Sequence, residues 1–255
     1  MNHEEDLDLD ISCGGIGRGT CRGDKGFTIV ELLIVIVVIA ILAAVTVVAY
    51  NGVQARAQRS RLAGDMASIK TKLELFNADN TLYPQSIIDC PTPAATNLCL
   101  TPGAGEGYRY QGFTPGGSGY MIVDNNSYEL TILGDQQFLY SSNAVRHGPN
   151  EFMQYMDMAP TIDRYGLQSY QISFDIKSAN TATKNTVAVY MQNGSGAKYT
   201  FSVNVPVTTT YQRQAINLKP VLANNTLTQS ILAFYGTYGT GNIPTVKDVQ
   251  IQLSP

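Results

Sequence analysis

Residues 25–31 read Lys25-Gly26-Phe27-Thr28-Ile29-Val30-Glu31, and an apolar run from Leu32 to Val45 follows them. A helix of about 20 apolar residues spans a bilayer, so the segment 27–50 is long enough to cross a membrane. Glu31 is a carboxylate inside that segment. Carboxylates in membrane spans are costly and usually functional. We therefore expect Glu31 to need a partner.

The residues that flank this segment bear on two other interpretations of it. It matches an ordinary secretory signal poorly, because the apolar run is long and no small-x-small cleavage site follows it. A plain N-terminal membrane anchor is the alternative. Basic residues flank both ends, so the positive-inside rule does not fix the orientation. They are Arg18, Arg22 and Lys25 before the span and Arg56, Arg59 and Arg61 after it.

Composition limits the classes of function. The chain has 255 residues, 44% of them hydrophobic, and a formal net charge of −3, which leaves room for two modest domains. The first 26 residues hold three basic and six acidic side chains, so the remainder is balanced at 14 of each. That balance gives no signal for nucleic-acid binding. His147 is the one histidine after residue 26, and no Gly-x-Ser-x-Gly or HExxH motif is present, so we expect no enzyme.

The four cysteines fall into two pairs. Cys13 and Cys21 precede the span, whereas Cys90 and Cys99 follow it in a loop rich in proline and asparagine. If the N-terminus stays in the cytoplasm, the second pair lies in an oxidising compartment, where a disulfide is the simplest prediction. Two unrelated buried thiols are the alternative. A zinc site of four cysteines is not expected, because the pairs lie on opposite sides of the membrane.

The pattern after residue 50 predicts an α+β head. Apolar residues recur at spacings of three and four, which places them on one face of a helix that runs from Thr28 to Asn80. They are Leu62, Met66, Ile69, Leu73 and Phe76. Strand-like stretches follow at 108–110, 120–123 and 128–133, separated by glycine and asparagine turns. We expect this helix to pack on a small antiparallel sheet in a head domain, 51–140.

A second domain is predicted at 151–255, after a polar linker at 141–150 that contains Gly148-Pro149. Six short strands with even spacing and little helix are typical of a β-sandwich. The predicted strands are Tyr170–Lys177, Thr186–Gln192, Tyr199–Val205, Tyr211–Leu218, Ser230–Tyr235 and Thr245–Leu253.

The sequence Gly26-Phe27-Thr28-Ile29-Val30-Glu31-Leu32-Leu33 resembles the cleavage and methylation motif of type IV prepilins and type II secretion pseudopilins. The resemblance extends from Lys25 to about Tyr140. It implies that 1–26 is a cytoplasmic leader, which a membrane-embedded prepilin peptidase removes by cutting after Gly26. It also implies that Phe27 is N-methylated. Many pilins carry a kinking proline where this chain has Val45, Val47 and Val48.

The same resemblance implies partners and a location. Glu31 pairs with the amino terminus of a neighbouring subunit, Phe27, while 27–50 moves from the membrane into the filament. The implied partners are the membrane, other pilin subunits and the pilus assembly platform. The prepilin lies in the cytoplasmic membrane with its N-terminus inside, and the assembled filament is extracellular.

Residues 170–253 resemble jelly-roll carbohydrate-binding modules with a galactose-binding-like fold, on the strand pattern and on 170–177, 211–213 and 246–251. The resemblance implies a glycan stacked on exposed aromatic rings, which offer an apolar face to a sugar. The candidates are Tyr190, Gln192, Asn193, Tyr199, Tyr211, Arg213, Tyr235 and Tyr238. Such modules often hold a structural calcium, for which Asp248 with Glu151 or Asp157 is the candidate set. No other cofactor is expected.

Together these patterns predict a type IV pilin-like filament subunit, minor or tip-proximal, that displays a β-sandwich for adhesion to a glycan or surface partner. Two alternatives remain open. The chain is a major pilin whose sandwich is architectural, or it is a type II secretion pseudopilin.

Overall fold

The computed structural model describes residues 27–88, 98–192 and 196–254. The predicted long helix is confirmed as α1, Ile29–Asn80, whose 52 residues include no proline. It ends where Thr81 adopts a positive φ of 63°. Within it, Ile29–Thr46 is 18 residues long with a mean hydropathy of 3.1, which is long and apolar enough to cross a membrane.

Contacts divide the chain into two compact units, Met1–Tyr50 and Asn51–Pro255. The described part of the first unit is the apolar half of α1. The second unit holds the rest of α1 and all the strands that follow. These are β1 (Gly107–Phe113), β2 (Gly116–Ser118), β3 (Met121–Val123), β4 (Ser127–Leu133), β5 (Phe138–Ser142), β6 (Arg146–His147), β7 (Phe152–Asp157), β8 (Tyr170–Ser178), β9 (Thr186–Gln192), β10 (Tyr199–Thr200), β11 (Ser202–Pro206), β12 (Gln212–Leu218), β13 (Val221–Leu222), β14 (Ile231–Tyr235) and β15 (Pro244–Leu253), with one short helix, α2 (Ala159–Tyr165), between β7 and β8.

The first sheet has nine strands and is centred on β15. On one side β15 pairs with β5, which continues to β4 and β1, and further along it pairs with β6, which leads to β3 and β2. On its other side β15 pairs with β8, which carries β12 at its edge. Ile251 therefore lies between Tyr140 of β5 and Ile172 of β8. The last strand of the chain joins the predicted head sheet to the predicted sandwich.

The second sheet has four strands in the order β11-β9-β14-β7. Alternate side chains of both sheets meet in one apolar core, which includes Phe174 and Ile176 of β8, Val189 of β9 and Phe234 of β14. The rings of Phe174 and Phe234 meet edge to face with centroids 5.2 Å apart. The predicted β-sandwich is thus confirmed, and its strands match the alternating pattern of the sequence.

A second core forms on the opposite face of β4 and β5. Residues of the predicted helical stripe pack there against β4, and only Phe76 of the five is half-buried instead of buried. The buried members are Leu62, Met66, Ile69 and Leu73 from α1, with Tyr128, Leu130 and Ile132 from β4. One sheet therefore has the helix on one face and the sandwich interior on the other.

Residues 141–150 are predicted as a linker, but the structure places 141–142 and 146–147 in strands of the first sheet. Ser141 and Ser142 belong to β5 and Arg146 to β6, and all three are buried. Their polar groups find partners inside the fold: the Ser142 hydroxyl donates to the Tyr128 carbonyl at 2.9 Å. A polar composition is typical of linkers, but it is also tolerated in a sheet where each group is hydrogen-bonded.

The stripe on α1 gives a direct test of its packing. Leu73 is 0% exposed in the helix–sheet core, whereas Leu75 on the same helix is 61% exposed. We expect Leu73→Ala to lower the free energy of unfolding by about 2–5 kcal/mol, because it deletes buried methyl groups and leaves a cavity. Leu75→Ala should change it by under about 0.5 kcal/mol. Denaturant unfolding of the full-length chain in detergent measures both, and equal effects would contradict the packing described.

Candidate functional site

Glu31 caps the start of its own helix. Its Oε2 accepts hydrogen bonds from the Thr28 backbone N–H and the Thr28 hydroxyl, each at 2.8 Å, and the Glu31 N–H is 3.2 Å from that hydroxyl oxygen. A threonine followed three residues later by a glutamate is a capping box, which satisfies N–H groups that have no partner at a helix start. Phe27 and Glu31 are both exposed. The carboxylate that motivates the assembly hypothesis is therefore accessible and already has a local role.

The outer face of the second sheet carries several of the predicted glycan-binding residues. Along β9, Val189 and Met191 enter the core, so Tyr190 and Gln192 point away from it. On β14 the partner of Tyr190 is Ala233. Tyr235 is two residues further along β14, hence on the same face as Tyr190 and diagonal to it.

Two further rings extend this face. Phe152 of β7 is the register partner of Tyr235, and their ring centroids are 6.4 Å apart at 71°. Tyr120, just before β3, meets Phe152 edge to face at 5.3 Å and is exposed. We name this set the aromatic row: Tyr120, Phe152, Tyr235 and Tyr190. It crosses β7, β14 and β9 and presents ring surface to solvent.

Polar groups accompany the aromatic row. The Tyr190 hydroxyl donates to the Gln192 side-chain oxygen, and Gln154 of β7 lies on the same face as Phe152. Tyr238 is 81% exposed in the loop after β14, and its backbone N–H donates to the Tyr235 hydroxyl at 2.8 Å. Burial, and then the neighbouring Tyr235, raise the pKa of Tyr190, so its hydroxyl stays neutral at physiological pH. Rings flanked by amide and hydroxyl groups suit a ligand with apolar faces and hydroxyl edges.

Other predicted candidates lie elsewhere. Tyr199 is buried, and its hydroxyl donates to the Asp163 carboxylate, which ties β10 to α2. Tyr211 lies beside the outer face of the first sheet, where the ammonium groups of Lys177 and Lys247 sit 4.8 and 4.9 Å from its ring centroid. Arg213 of β12 is on that sheet too, and it donates to the Asp248 carbonyl at 2.8 Å. Asn193 is outside the described residues.

Sequence reasoning missed Phe152, Gln154 and Tyr120. A signal was available for Gln154 alone, because this polar residue alternates with the apolar Met153 and Tyr155, whereas Phe152 is as apolar as its neighbour Met153. That period of two is typical of a half-buried strand. Tyr120 carries no such signal, because only the folded chain brings its ring next to Phe152.

Each of the predicted calcium ligands has another partner in the structure. Asp248 lies at an irregularity in β15 with a φ of 49° and pairs with Lys247 at 3.3 Å. The Glu151 carboxylate accepts the Gly241 N–H at 2.9 Å, and the Asp157 carboxylate accepts the Ser230 N–H at 2.8 Å. Among the described residues no group of three or more His, Cys, Asp or Glu side chains could hold a metal ion.

Two predicted sites have one described member each. Cys99 is exposed, while its predicted disulfide partner Cys90 is outside the described residues. Phe27 is described, while Gly26 and the rest of the leader are not. The disulfide and the cleavage site stay predictions.

Comparison with known proteins bears on the first part of the chain. Residues 21–47 match the family model described as the prokaryotic N-terminal methylation motif. The chain is 29% identical over 122 residues to type II secretion system core protein G of Escherichia coli (strain K12), which covers 43% of this chain and 81% of that protein. It is 35% identical over 75 residues to a fimbrial protein of Pseudomonas aeruginosa, which covers 29% of this chain and 46% of that protein. The recognition of a prepilin-type N-terminus is confirmed.

Among solved structures, one described as "CBM4 structure and function" is similar over 52% of this chain and 78% of its own, with 15% identity and a TM-score of 0.28. A likeness at that TM-score carries no argument. The β-sandwich therefore rests on the strand pairing of this chain itself.

Proposed function

We propose that this chain is a type IV pilin-like filament subunit, minor or tip-proximal, whose sandwich adheres to a glycan through the aromatic row. The observation that carries the adhesive part is the alignment of Tyr120, Phe152, Tyr235 and Tyr190 across three neighbouring strands. Neighbouring rings that stay partly open to solvent on an outer sheet face offer an apolar surface to a ligand, and this supports the proposal. The proposal gives the chain no catalytic role.

The assembly part of the proposal concerns the N-terminus. Cleavage after Gly26 gives Phe27 a free ammonium group, which is then methylated. In a bundle of apolar helices that ammonium and the Glu31 carboxylate of a neighbouring subunit each need an opposite charge. The partners are other pilin subunits, the prepilin peptidase and the assembly platform, and the route leads from the cytoplasmic membrane to an extracellular filament. The methylation motif at 21–47 and the apolar span support this route.

Glycan binding is tested with the full-length chain in detergent on an array of polysaccharides. We expect retention on at least one polysaccharide, and Tyr235→Ala should weaken it by at least about tenfold, since truncating an aromatic anchor removes most of its contact area. Tyr211→Ala is the matched control, because Tyr211 lies beside the first sheet and outside the aromatic row. The proposal would be contradicted if the wild-type chain is retained on no polysaccharide. It would also be contradicted if Tyr211→Ala weakens binding more than Tyr235→Ala does.

A type II secretion pseudopilin is the second candidate. It is favoured by the similarity over 122 residues to a protein named as a core component of that system. Deletion of the gene should then abolish secretion of exoproteins while surface filaments persist. Loss of surface adhesion with normal secretion favours the pilin-like subunit instead.

A further inference from the structure

A polar cleft adjoins the aromatic row. It lies between the first sheet at β1 and β4 and the edge strand β7, and its volume is about 490 Å³. Met121, Tyr155 and Met156 line it and also line a smaller hollow that contains Tyr120 and Gln154. The hollow and the cleft are therefore neighbours at β7, and a polymer that binds on the aromatic row is long enough to reach the cleft past this edge strand. A volume of this size is typical of ligand pockets.

The carboxylates of the cleft are already engaged. Glu129 Oε2 accepts from Arg146 Nη2 at 2.9 Å and from the Tyr140 hydroxyl at 3.0 Å. Asp157 Oδ1 accepts from two backbone N–H groups, those of Ala159 at 3.0 Å and Ser230 at 2.8 Å. Glu129 is thus paired with a cation, and Asp157 has its hydrogen bonds supplied by the backbone of its own chain.

The two arginines of the cleft have fewer hydrogen-bond partners than its carboxylates. Arg146 is 1% exposed, its guanidinium carbon lies 4.7 Å from the ring centroids of both Phe113 and Tyr155, and its Nε has no hydrogen-bond acceptor among the described residues. Arg109 lines the cleft from β1 and is exposed. Within the described ranges 27–88, 98–192 and 196–254, no salt bridge or hydrogen bond engages its guanidinium. Arg109 is therefore the basic group of the cleft whose guanidinium is free to bind a ligand.

We propose that the cleft takes a carboxylate-bearing sugar unit, so that the glycan is an acidic polysaccharide with uronate residues. This inference rests on the proposed function. One unit stacks on the aromatic row, and a unit further along the same polymer places its carboxylate against Arg109. A guanidinium forms paired, charge-assisted hydrogen bonds with a carboxylate, which a neutral sugar cannot replace.

The test compares each acidic polysaccharide with its own carboxyl-reduced form, which keeps the backbone and loses the charge. The probes are polygalacturonate, alginate and hyaluronate, immobilised beside their reduced counterparts, and the protein is the full-length chain in detergent. We expect at least one acidic form to bind about tenfold more tightly than its reduced form, and the preference to fall as salt rises.

Arg109 variants assign the preference to the cleft. Arg109→Ala should abolish the preference for the acidic form, and Arg109→Lys should keep part of that preference. Both variants should fold, because the Arg109 side chain is exposed on β1. Lys219→Ala, which removes one exposed positive charge from the loop after β12, should leave the preference unchanged. Equal binding of both forms by the wild type, or an unchanged preference in Arg109→Ala, would overturn this inference alone. Binding of no polysaccharide of either form would overturn the proposed function and this inference with it.

Discussion

Residues 151–255 expressed alone should fail to fold, although the sequence pattern marks them as a separate sandwich. The cut removes β5, which pairs with β15 at Val249–Gln252, and it strips Leu133, Phe138 and Tyr140 from the sandwich core. Loss of one large buried aromatic side chain costs about 3–5 kcal/mol. The combined loss therefore approaches the whole stability of an ordinary domain, about 5–15 kcal/mol.

Residues 51–255 are the matched control, because they keep every strand of both sheets. We expect a cooperative thermal transition by near-ultraviolet circular dichroism for 51–255 and none for 151–255, which should aggregate. A soluble 151–255 with a cooperative transition would show that the sandwich is independent of the head sheet. That result would contradict the role assigned to β15.

Substitution of Glu31 should have the second large effect. Glu31→Gln keeps a side chain that can close the capping box with Thr28, since glutamine serves at that position, but it removes the negative charge. If the carboxylate pairs with a neighbouring Phe27 ammonium, its loss leaves a buried charge unpaired at every subunit, at about 3–5 kcal/mol each. We expect Glu31→Gln to insert normally into the membrane and to yield no sheared filaments.

The comparison with Glu31→Ala separates two roles of the same side chain. Alanine removes both the charge and the half of the capping box that the Glu31 side chain supplies. If Glu31 only caps its helix, Glu31→Gln should form filaments and Glu31→Ala should be impaired. If the charge is needed for assembly, both variants should lack filaments. Immunoblots of sheared and membrane fractions give the two yields, and normal filaments from Glu31→Gln would contradict the ion-pair hypothesis.

Local patterns in the sequence predict much of the fold. The helix Ile29–Asn80 follows from its apolar run and its stripe, and the strands at Tyr170–Ser178 and Thr186–Gln192 follow from alternation. The pairing of β15 with β5 does not, because residues more than a hundred positions apart meet there. The sequence does not predict the burial of Arg146 for the same reason, because its partner Glu129 and the rings around it come from other strands.

The candidate site likewise has one part that local sequence patterns predict and one part that they do not. Tyr190 and Gln192 are two residues apart, so one strand places both on one face. Tyr235 and Phe152 lie on the same face only because the strands are ordered β9-β14-β7, and the spacing of residues along the chain does not predict that order. Tyr199 and Tyr211 looked equivalent to them in sequence. Tyr199 is instead buried against Asp163, and Tyr211 lies beside the first sheet.

The central claim is that one subunit both enters a filament and presents the aromatic row to a glycan. It is tested most directly by sheared filaments from cells that carry the wild type or Tyr235→Ala, applied to the polysaccharide that the wild-type chain binds. We predict equal filament yields, with wild-type filaments retained and variant filaments washed through. Equal retention of both kinds of filament would contradict the claim.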